Sequence, residues 1–332
     1  MAQKKRVTLQ EVAVKVGVTK MTVSRYLRNP ESVAPATAER IALAVEQLGY
    51  VESHVPSMLS RSSSRAIGVI IPSLSNQVFA AFIRGVESVT HQHGYNMLIA
   101  HTRYSDAIEE AKVATFLGYH VDGLILTATA HTPRTLAMVR QAATPVVEAM
   151  AIPQSPIDMA VGMDHKQAAY DITLALIKKG RTHVTYLAAR MDERTKMRLE
   201  GYQAALQHHN LSEQIISTTR HSDFSLGKVL MKKALTTYPS TDAVMCTNDD
   251  IAVGAQLYCS EVGVTVPGDM AIVGYNALDI GLAMTPPLTS VASPREEIGA
   301  KAATMLVERL AGAQVSPSVI TLPYSISGGG TW

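Results

Sequence analysis

The chain has 332 residues, enough for about two domains and a sizeable core. With 47% apolar and 17% charged residues, it is neither disordered, collagen-like nor coiled coil. The net charge of +2 is uneven: residues 1–61 carry 9 Lys and Arg against 5 Asp and Glu, whereas the remainder carries 21 against 23. A cationic terminal unit suggests a polyanion partner, because each cation set against a phosphate releases counterions. The plainer alternative is a basic solvated surface.

In chain order, Met1 to Arg6 is basic but precedes no continuous apolar segment. It does not read as an export signal, and no aliphatic run nears the ~20 residues of a membrane helix, so a cytoplasmic protein without membrane contact is expected. Thr8 and Glu11 stand at capping-box spacing ahead of Val12, Ala13 and Val16, with Gly17 as a stop. Thr19 starts a second helix to about Leu27, and Asn29 and Pro30 break it. Pro35 suits the first turn of a third helix through Leu48, ended by Gly49. The first two make a helix-turn-helix. Its second helix enters the major groove, which gives Lys20, Met21 and Thr22, with Arg25 one turn on, as the residues nearest base edges.

The strings Thr8-Leu9-Gln10-Glu11-Val12-Ala13, Gly17-Val18-Thr19, Thr22-Val23-Ser24-Arg25 and Leu48-Gly49-Tyr50 resemble the head of the LacI/GalR family of bacterial transcriptional repressors. The resemblance implies that Lys20 and Met21 choose the operator sequence. Lys20 suits guanine O6 or N7 and Met21 an apolar edge, while Thr8, Thr22 and Asn29 hold phosphates. It further implies a homodimer on near-palindromic double-stranded operator DNA.

From Tyr50 to Arg65 the composition turns to Ser, Arg and small residues, as in a linker. By resemblance this stretch forms a hinge helix on the operator, and Leu59 matches the leucine that wedges into the minor groove. Packing of Met58 and Leu59 on the large domain is the alternative. Glu52-Ser53-His54 stands where the family usually has Pro-Asn-Arg, which puts the imidazole of His54 in place of a cation and adds a carboxylate near phosphate.

From residue 66 onward, short apolar runs alternate with helix-length segments. Strands are expected over 67–71, 97–100, 123–127, 145–148 and 159–163, then 184–188, 243–246 and 270–274. Their lack of polar alternation fits parallel strands covered on both faces, hence an α/β chain with two doubly wound parallel sheets and a ligand cleft between them. The division expected is a helix-turn-helix domain over 1–51, a hinge and linker over 52–65, and an effector-binding and dimerisation domain over 66–332. In that domain lobe 1 spans about 66–163 plus 293–325 and lobe 2 about 164–292.

This resembles the family's two-lobed, periplasmic-binding-protein-like domain, with matching strings such as Val121-Asp122-Gly123-Leu124-Ile125, Thr247-Asn248-Asp249-Asp250 and Val273-Gly274-Tyr275-Asn276. Other strings, Asn76-Gln77-Val78-Phe79 and Asp192-Glu193-Arg194-Thr195 among them, resemble the repressors of gluconate and idonate utilisation, which implies a sugar-acid effector. Arg198 falls where the family places its effector-binding arginine, and the bidentate fork of Arg suits a carboxylate; a surface ion pair is its alternative. Asp249 and Asn276, at strand ends, suit hydroxyl recognition, although Asp249 can also cap the helix after it, and Asn248 joins the effector set. Phe79 and Phe224 match apolar positions lining the family's cleft, with core packing as the alternative for Phe79. Asn76, Gln77, Thr127, Glu148, Asp164 and Arg194 complete the expected effector set.

Cys246 and Cys259 make neither a disulfide framework nor a metal quartet, and His91, His93, His208 and His209 read as solvated helix ends. No metal or other cofactor is expected. Nucleophile-elbow, phosphate-loop and dinucleotide fingerprints are missing, which argues against a sugar-metabolising enzyme. A basic helical head without an export signal argues against a sugar-binding transport component.

Overall fold

The computed structural model describes residues 7–51 and 63–332, so the expected hinge helix, with His54 and Leu59, lies outside the described residues. The chain divides into two compact units, 1–64 and 65–332.

The first unit is helical. Helix α1 (Leu9–Val16) opens on a complete capping box, in which the Thr8 backbone N–H donates to Glu11 Oε2 at 2.6 Å and Thr8 Oγ1 accepts from the Glu11 N–H at 3.3 Å. It stops at Gly17, whose φ of 74° is the left-handed conformation that glycine adopts without strain. Thr19 caps α2 (Lys20–Arg28) by accepting from the Thr22 N–H. A single 3-10 turn, Pro30–Ser32, leads to α3 (Pro35–Leu48), again ended by a left-handed glycine, Gly49. Val12, Ala13 and Val16 of α1, Val23 of α2, and Ile41 and Ala44 of α3 form a small buried core.

The second unit holds two six-stranded sheets. The first has the order β11-β5-β4-β3-β1-β2, from β1 (Ala66–Ile71), β2 (Asn96–His101), β3 (Gly123–Leu126), β4 (Val146–Ala151), β5 (Met159–Met163) and β11 (Val319–Thr321). Its described pairings are all parallel. Strand β1 shows why such strands read as continuous apolar runs. Ile67, Val69 and Ile71 face a core shared with α4 (Val78–Gln92) and α12 (Arg295–Leu310), whereas Ile70 faces Phe116 of α5 (Asp106–Gly118) and Val139 of α6 (Pro133–Ala142).

The second sheet has the order β12-β10-β9-β8-β6-β7, from β6 (Val184–Ala188), β7 (Gln214–Ser217), β8 (Ala243–Cys246), β9 (Ala271–Tyr275), β10 (Thr289–Ala292) and β12 (Ser325–Ile326). Helices α7 (His165–Lys178) and α8 (Glu193–His208) cover one face, and α9 (Phe224–Thr237) and α10 (Asp249–Glu261) cover the other. A short α11 (Asp279–Leu282) follows β9. The chain passes between lobes three times: after β5, after β10, and between β11 and β12. The last crossing departs from the expected boundary, since 325–326 pair with β10 in the second sheet.

Glycine lets the covering helices close on one another. A Cβ on Gly254 would fall 2.1 Å from the Phe224 carbonyl oxygen, and one on Gly227 would fall 2.5 Å from that of Ile251. Gly254→Ala is therefore expected to push α9 and α10 apart. Because the obstacle is backbone, the cost lies at the upper end of the ~1–3 kcal/mol of overpacking, offset by the ~1 kcal/mol that alanine gains over glycine in a helix. Urea unfolding should show a net loss of about 2 kcal/mol, and an unchanged midpoint would mean that the helices separate freely.

Candidate functional site: a recognition helix and an arginine-lined cleft

On the head, Val23 anchors α2 while Lys20, Met21 and Arg25 are exposed and Thr22 is half-buried. Met21 is 67% exposed and so is free to offer an apolar contact. Thr22 Oγ1 lies 2.9 Å from Thr19 Oγ1. Asn29 is exposed and its Oδ1 accepts from the Glu31 N–H at 3.2 Å, so it caps the 3-10 turn. Thr8 Oγ1 also donates to Glu11 at 2.9 Å, which ties this side chain to the helix start.

In the second unit, the carboxyl ends of the strands of both sheets face a cleft with three connected spaces. The innermost is a cavity of ≈ 30 Å³ whose walls include Asn76, Phe79, Arg194, Arg198, Asn248 and Asn276, six of the twelve effector residues expected from sequence. An outer chamber of ≈ 200 Å³ is walled by Thr127 and by Arg194 again. A wide mouth of ≈ 540 Å³ holds Gln77 and Phe224, together with Asn76.

Three expected residues do not line these spaces. Glu148 is buried, with Oε1 3.2 Å from His131 Nε2 and Oε2 accepting from the Ile157 N–H at 2.6 Å. Asp164 is exposed and caps α7, its Oδ1 accepting from the Gln167 N–H at 2.8 Å. Asp249 is fully buried: Oδ1 accepts from Ser290 Oγ at 2.6 Å and Oδ2 from the Leu278 N–H at 2.5 Å. Burial pushes its carboxyl up to about 7, tempered by those two donors and by Arg295. Asp249 is not the cap of α10 either; Asn248 is, with Oδ1 accepting from the Ile251 N–H at 3.1 Å. Asp164 and Asp249 follow strand ends and Glu148 lies within β4; in all three, internal donors have captured the carboxylate.

Arg190, Arg194 and Arg198 recur every fourth residue and all reach the inner cavity. Arg190 lies 4.7 Å from the Tyr104 ring centre and donates to Ser222 Oγ at 2.6 Å; Ser222 in turn donates to Asp250 at 3.3 Å. Arg194 donates to the Thr127 carbonyl oxygen at 2.9 Å, bridging the lobes, and lies 5.7 Å from the Phe79 ring centre. Burial would raise the Asp192 carboxyl, but the Arg194 guanidinium, the Thr195 donors and Arg198 outweigh it and hold it below the usual carboxylate range.

Arg198, only 7% exposed, lies 3.8 Å from the Tyr275 ring centre and donates to the Thr247 carbonyl oxygen at 2.5 Å. Its Nε has no hydrogen-bond partner among the described residues. Behind it, burial together with Arg198 and Arg194 pushes His165 well below its ordinary value, so the ring is neutral. His165 Nε2 can only donate to the Met150 carbonyl oxygen, at 3.1 Å, so Nδ1 accepts from Tyr275 Oη at 2.9 Å. Arg198 thus feels Asp192 across the cavity, but its direct contacts are a carbonyl and a ring, with no ion pair among the described residues.

Sequence reasoning missed Tyr104, Arg190, His165 and Tyr275. Arg190 precedes α8, so its four-residue spacing from Arg194 does not place the two on one helix face. Tyr104, Arg190 and Asn276 have φ of 61°, 67° and 106°, left-handed conformations that non-glycine residues hold mainly where surrounding structure enforces them. No sequence pattern announces these.

A helix-turn-helix head joined to a two-lobed domain with a polar interlobe cleft defines a ligand-responsive DNA-binding regulator. The family of bacterial regulatory proteins of lacI type matches residues 8–53, and that of periplasmic binding proteins and the sugar-binding domain of the LacI family matches residues 64–327. The chain belongs to the LacI family. It is 46% identical to the HTH-type transcriptional regulator GntR of Escherichia coli K12 over 99% of both chains, and 42% identical to IdnR of the same organism over 98% of both. The crystal structure of a LacI-family regulator from Silicibacter pomeroyi, 31% identical, superposes with a TM-score of 0.92 over 98% of this chain and 99% of that one. These relatives are regulators of transcription rather than enzymes. No helix of the described residues is long and apolar enough to cross a membrane.

Proposed function

We propose that this regulator is a homodimeric repressor of sugar-acid utilisation, binding a near-palindromic operator through Lys20, Met21 and Arg25 and responding to gluconate or a related sugar acid in the cleft. The observation that carries the effector half is Arg198: a buried guanidinium, stacked on Tyr275, with an unused Nε donor and no ion pair among the described residues. A buried unpaired cation is costly, and a carboxylate ligand supplies the missing charge and acceptor. Neutral His165 and the amide of Asn276 add no negative charge, and the cavity's one carboxylate, Asp192, makes no ion pair with Arg198. The similarity to GntR and IdnR and the sequence resemblance to gluconate and idonate repressors support the same reading.

Calorimetric titration of the full chain with gluconate, glucose and a purine tests it. Gluconate should bind and shift operator affinity, and binding by glucose alone would refute the carboxylate role of Arg198. On the DNA side, Lys20 is exposed on the first turn of α2 and suits a guanine edge. Lys20→Ala is expected to weaken operator binding by about 1–3 kcal/mol and to relax selectivity at one base pair per half-site, read by mobility shift against single-base operator variants. An equal loss on all sequences would make Lys20 a phosphate contact.

A further inference from the structure

We propose that the outer chamber reads the hydroxyl-bearing end of the effector, with Glu109 accepting hydrogen bonds from its distal hydroxyls and His131 and Glu148 positioning that carboxylate from behind. This rests on the sugar-acid reading above and extends it from one end of the ligand to the other.

Space is the first argument. The inner cavity of ≈ 30 Å³ around Arg198 has room for a carboxylate group but not for a six-carbon chain. The outer chamber, ≈ 200 Å³, shares Tyr104, Asp192 and Arg194 with it, so the two spaces adjoin and a chain anchored at Arg198 extends toward the chamber past Arg194. The mouth also adjoins, but its wall mixes Arg103 and Arg190 with Asp223 and Asp250 and so lacks the one-sided charge of the chamber.

The second argument is Glu109 itself. It is 3% exposed, yet it forms part of the chamber wall. Its Oε1 meets His131 Nδ1 at 2.5 Å, and Oε2 has no hydrogen bond among the described residues. An ionised carboxylate oxygen accepts and cannot donate, so the group it selects is a hydroxyl or another N–H or O–H donor. His131 lies between two carboxylates, Glu109 and Glu148, and Glu148 is itself fixed by the Ile157 N–H. That arrangement clamps the imidazole on both sides and thereby fixes where Glu109 presents its second oxygen.

Charge segregation supplies the third. Asp106, Glu109, Asp192 and Glu193 line the chamber with Arg194 as its one cation among the described residues, whereas three arginines and a single carboxylate line the inner cavity. A ligand with a carboxylate at one end and hydroxyls along the rest is thus held in one direction, acid end toward Arg198.

The test compares gluconate with the three-carbon acid glycerate, which keeps the carboxylate and lacks the distal hydroxyls, in titrations of the full chain. Glu109→Gln should weaken gluconate about 10- to 100-fold, the effect of removing a charged acceptor, while glycerate changes by less than about threefold. His131→Gln should reproduce this chain-length dependence more weakly, and Asp106→Asn, at an exposed wall position that does not threaten folding, should affect gluconate alone. Equal losses for both acids, or no loss for either, would overturn the assignment, as would a gluconate-specific loss from Phe224→Ala with none from Glu109→Gln. If neither acid binds the unaltered protein, the sugar-acid reading itself fails, a result distinct from these.

Discussion

Arg198→Gln is expected to weaken gluconate binding by about 100-fold, roughly 2.7 kcal/mol, while leaving operator affinity without effector close to that of the unaltered protein. The effect is large because three things are lost together. The formal charge goes, in a cavity where burial would raise the neighbouring Asp192 carboxyl and Arg194 offsets this more than Arg198 does. The unused Nε donor goes, and a neutral amide offers a weaker hydrogen bond than a guanidinium. The ring contact goes as well: the guanidinium lies 3.8 Å from the Tyr275 ring centre, and that stacking fixes its orientation before ligand arrives. Arg198→Lys separates these contributions, since it keeps the charge but neither the planar fork nor the stacking, and should fall between the two. Calorimetry gives the affinities, and a mobility shift with and without gluconate gives the coupling to DNA. Gluconate affinity within threefold of the unaltered protein would remove Arg198 from the ligand-binding role.

Some of this was legible in the sequence because the signals are local. Thr8 and Glu11, Thr19, Pro35 and the two stop glycines mark the head because capping needs only residues three or four apart. Strands buried on both faces stand out as apolar runs, and all eight expected strands lie within a residue or two of observed ones, apart from the longer extension of β4 to Ala151. The four that escaped notice lack that signature. Strand β7 buries only Gln214 and Ile216, β10 is buried but begins with Thr289 and Ser290, and β11 and β12 are short edge strands. In the cleft, position along the chain found Arg198, Phe79, Asn248 and Asn276. It misplaced Glu148, which lies within the longer β4, and Asp164 and Asp249, because whether a carboxylate faces a ligand depends on which donors reach it: His131, the Gln167 N–H, and Ser290 with the Leu278 N–H respectively.

The buried Glu109–His131–Glu148 cluster makes stability depend on pH with a definite sign. Burial by itself would lower the imidazole pKa, but Glu109 at 2.5 Å and Glu148 at 3.2 Å outweigh it and raise His131 to about 9. In the unfolded chain the same group titrates near 6.5. The folded state therefore holds this proton more tightly than the unfolded one. The contribution is fully present below about pH 6.5 and is lost as pH rises through about 9, amounting to about 3 kcal/mol. Other groups titrate nearby. Asp249, raised to about 7, changes mainly below this window, and Cys259, raised to about 11 by burial, contributes above it. Subtracting the profile of His131→Gln removes both, because that variant keeps them. It also leaves Glu109 and Glu148 close together without a cation, so at about pH 6 it should be the less stable protein by several kcal/mol. The difference in urea unfolding free energy should then shrink by about 3 kcal/mol between about pH 6 and pH 9.5. A difference that stays constant over that range would mean that His131 is buried as a neutral ring and the cluster is held by hydrogen bonding alone.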